Sequence, residues 1–200
     1  MNIAFVGSPQ ISAKILEKLH KDGFNIPLVI SQPDKRKKRG QSVDLSEVST
    51  MARNLGLNTL KPLDLNDSAF RKEVEAIDID FLVVSAYGKI LPGWMLNVAH
   101  KMCINIHYSL LPKYRGASPI QTSLINGDSE TGISFIKMNE KMDEGDLIKT
   151  LVLDIKKTDD KISLENKLST LAANNIAGVL SGVNINSFKL NKQNHKDASY

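Results

Sequence analysis

Cysteine is nearly missing from this sequence: Cys103 is the only one in 200 residues. A disulfide framework within the chain is thereby excluded, as is a metal site built on several thiolates. A single thiol inside an apolar run fits a reducing compartment. Also missing is any apolar run near the roughly 20 residues that span a bilayer. The opening "MNIAFVGSP" has no basic stretch followed by a long apolar one, so no secretory leader is expected. There is no internal repeat and no G-x-G-x-x-G. The nearest approach is "GSP" at 7–9, where Pro9 would deny an amide to a dinucleotide. Gly7 is read instead as allowing a tight strand-to-helix turn. Charge of one sign is only mildly in excess, at net +4. These absences lead to the expectation of a soluble, cytoplasmic chain; a monomer is also expected.

What is present is ordinary in bulk: 42% hydrophobic and 24% charged residues, enough for a core of reasonable size. The length suits one large α/β domain or two small ones. Short apolar runs at 2–8, 26–31, 80–88 and 101–107 read as buried parallel strands, with a shorter one at 57–60. Between them lie helical patterns. In residues 11–23, Ile11, Ile15, Leu16 and Leu19 share a face and Gly23 can close the end. Residues 45–56 follow, with Ser46 as cap and Gly56 as stop. Residues 66–78 are capped by Asn66 or Asp67. A short helix is expected at 118–127. Residues 131–138 and 145–155 read as an antiparallel pair joined by "NEKMDE". A long helix starts at Ser163, with Leu164, Leu168, Leu171, Ala172, Val179 and Leu180 at helical spacing. The alternation predicts an α/β fold, an open, mostly parallel twisted sheet with helices on both faces. From residue 184 the sequence is polar and patternless. The expected organisation is a catalytic domain over 1–183, then at 184–200 the start of a linker to a C-terminal domain absent from this chain.

In an open α/β sheet, ligands bind beyond the carboxyl ends of the strands. "AYGKILP", "HYSLLPKYRG" and "NEKMDEGD" should converge there. Asn105 and His107 are two apart on one strand, so both project from the same face. An amide donor beside an imidazole suits a developing oxyanion. A carboxylate near the imidazole would orient it or keep it charged. Asp143 is the natural candidate if its loop folds back, although Glu144 or Asp146 serves equally well on spacing alone. Such a trio needs no serine or cysteine nucleophile, so the nucleophile arrives with a substrate. His20, His100 and His195 have no partner signal, Trp94 and Met95 read as core, and Cys103 as a small buried apolar residue. Residues 35–39, "KRKKR", are five consecutive cations between Pro33 and Gly40. On the same edge of the sheet as the site, they suit a polyanionic substrate such as nucleic acid.

These motifs resemble the folate-dependent formyltransferases, and most closely their methionyl-tRNA branch. The resemblance rests on "FVGSP", "SQPDK…RG", "VVSAYGKILP", "CINIHYSLLPKYRGASPIQ", "GDSETGISF" and "MDEGDLI", in family order over nearly the whole chain. It implies a Rossmann-like formyltransferase fold and catalysis by Asn105, His107 and Asp143. It implies formyl transfer from 10-formyltetrahydrofolate to the amine of initiator methionyl-tRNA, without a metal. Folate-pocket residues would be Ser109, Leu110, Leu111 and Pro112 together with Tyr87, Gly88, Lys89, Ile90 and Leu91. Lys35, Arg36, Lys37, Lys38 and Arg39 would meet the tRNA acceptor end. Rival expectations are a sister enzyme acting on a sugar-nucleotide amine or glycinamide ribonucleotide, and a non-catalytic RNA-binding domain on the same fold.

Overall fold

A computed structural model describes residues 1–36 and 43–200. The strands are β1 (Asn2–Gly7), β2 (Asn25–Ile30), β3 (Lys35–Arg36), β4 (Val43–Asp44), β5 (Thr59–Leu60), β6 (Phe81–Ser85), β7 (Met102–His107), β8 (Glu130–Lys137) and β9 (Leu147–Asp154). The helices are α1 (Gln10–Lys21), α2 (Glu47–Asn54), α3 (Ser68–Glu75), α4 (Gly93–Leu96), α5 (Pro119–Ile125) and α6 (Lys161–Asn184). Seven strands form one sheet in the order β5-β2-β1-β6-β7-β8-β9. The pairs from β5 to β7 are parallel, and β7–β8 and β8–β9 are antiparallel. The mostly parallel open sheet expected from the alternation is therefore present. The strand order turns back between β1 and β6, the place where such sheets open a crevice.

Local chemistry explains the element ends. Gly23 and Gly56 follow α1 and α2 with φ of 80° and 68°, a left-handed backbone that glycine adopts without Cβ strain. Ser46 accepts from the Ser49 amide, and Asp67, rather than Asn66, accepts from the amides of Ala69 and Phe70. Gly7 is required by close approach and not by a left-handed turn. A Cβ there would lie 2.8 Å from both the Ser12 Cβ and the Ser85 carbonyl oxygen. The short hairpin β3–β4 and the one-turn α4 had no clear periodic signal.

The core lies in two layers. On one face of the sheet, Ile15, Leu16 and Leu19 of α1 pack with Leu168, Ile176 and Leu180 of α6 over Phe5, Ile104 and Phe135. On the other, Phe70 and Val74 of α3 and Met95 of α4 pack over Leu28, Leu82 and Val84. Each such fully buried side chain contributes about 1.5–3 kcal/mol of hydrophobic stabilisation. Strand β7 is divided accordingly. Ile104 and Ile106 enter the α6 side, while Cys103, Asn105 and His107 lie on the other face.

The long helix starts earlier than expected. Asp160, not Ser163, is its cap; Ser163 is the third helical residue and completes a reciprocal capping box. Just before it, the Lys167 ammonium bonds both oxygens of Asp159, at 2.7 and 2.6 Å. The Lys156 amide and the Ser163 hydroxyl add to this.

The segment after Asn184 is fastened to the rest of the chain. Leu147 and Asn191 exchange backbone hydrogen bonds at the free edge of β9, and the Ser199 carbonyl accepts from the Arg115 amide. Gly182 eases the return. A Cβ there would come within 2.3 Å of the Phe188 ring, which would have to shift to make room.

The hydrogen bonds of Asp159 generate a pH prediction. The Lys167 hydrogen bond, helped by the Lys156 amide and the Ser163 hydroxyl, lowers its carboxyl to about 2 from the usual 3.8. A depressed carboxyl stabilises the fold above its unfolded value, and that contribution disappears as pH falls through the folded one. Asp159→Asn should therefore be less stable than the parent at pH 7, with the gap closing between about pH 4 and pH 2. Urea unfolding across that range checks it.

Candidate active site

Three segments bound a cavity of about 440 Å³ beside β6 and β7. They are the 86–91 loop after β6, residues 116–119 beyond β7, and the 138–143 loop between β8 and β9. The volume lies within the roughly 300–1,000 Å³ usual for small-molecule sites. Two of the segments leave the carboxyl ends of parallel strands. The third comes from the opposite end, because β8 is antiparallel to β7, and folds back along the outer face of β7. Its neck is closed by Gly145: a Cβ there would lie 1.9 Å from the Lys137 carbonyl oxygen. The glycine of "MDEGDLI" is thus a requirement of backbone approach.

At the end of that loop, Asp143 meets the two β7 side chains. Its Oδ1 accepts from the Asn105 amide at 3.2 Å. Its Oδ2 accepts from the Gly116 amide at 2.8 Å and lies 3.5 Å from His107 Nδ1. Glu144, equivalent on spacing, instead faces Arg115, Lys141 and His195. Asp146 supplies only its carbonyl oxygen to the Lys137 amide. His107 is 5% exposed. Its Nε2 sits 2.8 Å from the Tyr114 carbonyl. A carbonyl can only accept, so Nε2 carries the hydrogen. Nδ1 then carries one as well only in the imidazolium form, and that form pairs with Asp143. The turn that supplies these groups is bent sharply. Tyr114 and Asp143 have φ of 56° and 52°, a left-handed backbone that costs about 1–3 kcal/mol unless its surroundings hold it.

The cavity wall is largely apolar, with Val84, Ile90 and Leu91 among its side chains. It also includes the backbone of the turn at 86–88, where Ala86 and Gly88 have φ of 43° and 77°. The Tyr87 hydroxyl is buried and has no hydrogen-bond partner among the described residues. Burial pushes this phenol up to about 12, so it stays a neutral donor. Lys89 turns its ammonium away to the carbonyls of Pro62 and Leu63. Among the described residues no cluster of His, Cys, Asp or Glu could hold a metal ion. None of the described helices is long and apolar enough to cross a membrane.

Of the residues expected from sequence, Asn105, His107 and Asp143 come together. Tyr87, Gly88, Lys89, Ile90 and Leu91 line the cavity. Ser109, Leu110, Leu111 and Pro112 are not among the residues that line this cavity. After His107 the chain turns away across β8. Ser109 is buried and donates to the Lys113 carbonyl. The Leu111 amide donates to Ser134 Oγ, which in turn donates to the Ser109 carbonyl. Leu110 faces a separate hollow beside Asp128, and the Pro112 carbonyl accepts from Ser199. Lys35 and Arg36 lie in β3, paired with Asp44 and Val43. Lys37, Lys38 and Arg39 lie outside the described residues. The root of this hairpin is tied to the site, since Gln32 donates to the Tyr87 carbonyl and Asp34 pairs with Lys61 at 2.7 Å. Sequence reasoning missed Gln32, the Tyr114 carbonyl and the Gly116 amide. The last two are backbone groups with no side-chain signal, although the "YRG" glycine hinted at an unusual turn.

Behind the site, Cys103 is buried, and burial pushes its thiol up to about 12. The thiolate is the reactive form. The native chain should therefore resist iodoacetamide at pH 8, and the urea-unfolded chain should take up one equivalent, read by intact mass.

Comparison with known proteins agrees with this geometry. The family model described as Formyl transferase matches residues 1–180. A methionyl-tRNA formyltransferase of Caldanaerobacter subterraneus subsp. tengcongensis is 37% identical, over 100% of this chain and 65% of that protein. The chain thus spans a little under two thirds of that relative's length. Among solved structures, phosphoribosylglycinamide formyltransferase from Anaplasma phagocytophilum aligns with a TM-score of 0.77 at 19% identity, covering 98% of this chain and 95% of that one. A sugar 3N-formyl transferase solved in the presence of dTDP and 5-N-formyl-THF aligns at 0.73 and 20%, covering 100% and 69%. These two likenesses establish the fold. With 180 of its residues matched by the family model and a histidine, an amide and a carboxylate meeting at one cavity, the chain belongs to the formyl transferase family.

Proposed function

We propose that this chain is the catalytic part of a methionyl-tRNA formyltransferase, acting in the cytoplasm on initiator methionyl-tRNA at the start of translation. The observation that carries the reading is the meeting of Asn105, His107 and Asp143, at 3.2 and 3.5 Å, on the rim of a cavity sized for a small molecule. The methionyl-tRNA formyltransferase relative supports the choice of acceptor, as does the five-cation run at 35–39.

The apolar wall, the bent backbone at 86–88 and the unpartnered Tyr87 hydroxyl fit the pterin end of 10-formyltetrahydrofolate, a bicyclic ring system with polar edges. Tyr87, Gly88, Ile90 and Leu91, with the stem of Lys89, would hold it. The folate supplies the formyl group, which the amine of the aminoacyl end attacks. Asn105 has two N–H bonds and spends one on Asp143, leaving the other for the formyl oxygen. The imidazolium of His107 places positive charge beside that oxygen as it becomes an anion. Asp143 faces the imidazole and accepts the proton of the attacking amine on its way to the departing folate nitrogen, whose bond to the formyl carbon breaks as the new amide forms. The cations at 35–39 meet the phosphates of the acceptor stem.

Asp143→Asn keeps an acceptor for the Gly116 amide but removes the charge. Folding and folate binding should persist while transfer falls about 10²–10³-fold, the usual consequence of losing one electrostatic element of an oxyanion site. Full activity would remove Asp143 from the mechanism. The acceptor is tested by offering methionyl-tRNA, an amino-sugar nucleotide and glycinamide ribonucleotide with 10-formyltetrahydrofolate. Transfer to either small amine alone would overturn the tRNA reading.

Replacing residues 35–39 with serine should spare folate binding and weaken tRNA use. The slope of log affinity against log salt should fall by about 0.7–0.9 for each phosphate no longer neutralised. An unchanged slope would separate the run from the nucleic acid.

A further inference from the structure

We propose that residues 191–200 act as a strap that sets the geometry of the histidine–carboxylate pair, and that Gln193 is its positioning residue. The family model matches residues 1–180, and the strap lies beyond that match.

Gln193 is 5% exposed and does not line the cavity. Every hydrogen-bonding position of its amide is used. Nε2 donates to the Asp143 carbonyl at 2.7 Å and to the Gly145 carbonyl at 2.8 Å. Oε1 accepts from Arg115 Nε at 3.2 Å and Nη2 at 2.9 Å. The partners fix which end is which. Two carbonyls need the NH₂ and a guanidinium needs the oxygen, so the amide has one orientation. Glutamate cannot donate to the carbonyls, and asparagine is a methylene too short to reach both sides.

What Gln193 holds is the pair of strained turns on which the site depends. Asp143 is left-handed at φ 52°, and its own carbonyl is the Gln193 acceptor. Arg115 follows Tyr114, left-handed at φ 56°, whose carbonyl orients His107. The strap reaches that second turn again through Ser199. Its Oγ accepts from the Tyr114 amide at 2.9 Å, and its carbonyl accepts from the Arg115 amide at 2.8 Å. The Arg115 guanidinium, 4% exposed, is completed by His195 Nδ1, Tyr200 Oη and, at 3.4 Å, Glu144. A single segment thus clamps the carboxylate loop to the histidine loop from behind, where no substrate reaches.

The test rests on the formyl-transfer reading and separates the two. It uses the full chain, with 10-formyltetrahydrofolate and methionyl-tRNA. Gln193→Ala should lower kcat about ten- to a hundredfold, the scale of a small misplacement of reacting groups. KM for the folate should stay within about twofold. In an Asp143→Asn background the same change should have little further effect, because the group it positions has lost its charge. Equal proportional losses in both backgrounds, or a rise in KM alone, would overturn the strap. Ser199→Ala, a milder change, should show the same pattern should Gln193→Ala fold poorly. A parent chain without transfer would sink the reading instead. The strap is then judged by ¹⁵N-histidine spectra, in which the His107 ring signals should move in Gln193→Ala and Ser199→Ala. Unmoved signals would overturn it.

Discussion

The site depends on one carboxylate placed where water is scarce. A buried charge is costly unless donors surround it. Asp143 finds an amide and an imidazole edge from one strand, β7, and an N–H from the turn that follows it. The dependence runs both ways. Without that carboxylate, the Gly116 N–H and the Asn105 amide lose an acceptor, and the imidazolium loses its counter-charge. The loops at 114–116 and 138–145 therefore stabilise each other's strained conformations, and the cavity between them is defined by that meeting.

Strand β7 shows how the fold makes room for such chemistry. Its Ile104 and Ile106 face is sealed by α6 and α1, so the strand is anchored without help from the opposite side. The Cys103, Asn105 and His107 face is covered by apolar side chains only at its start. By His107 the cover is a loop, and the polar groups are satisfied by that loop instead of by solvent. The same strand thus serves as core and as active-site floor, two residues apart.

Much of this was legible in the sequence. Period-two alternation placed Asn105 and His107 on one face, and the strand–helix alternation gave the sheet and its open edge. The antiparallel pair at the end explained how a loop from another strand end could return to the site. Three features were not legible, for different physical reasons. Residues 109–112 entered as folate contacts through the family resemblance alone, and the hydrogen bonds that tie their backbone to Ser134 leave no mark in the sequence. The cap of α6 moved to Asp160 because serine and aspartate compete for the same role and both are used. The tail looked patternless because its hold on the site is made by isolated polar side chains, and such interactions have no period.

The first helix and the last one lie side by side. Residues of α1 cannot complete their packing until α6, which ends at Asn184, has been made and folded. At ordinary elongation rates of about 5–20 residues per second, the apolar stripe of α1 waits on the order of ten seconds for its cover. During that interval the growing polypeptide keeps this apolar stripe without its final cover.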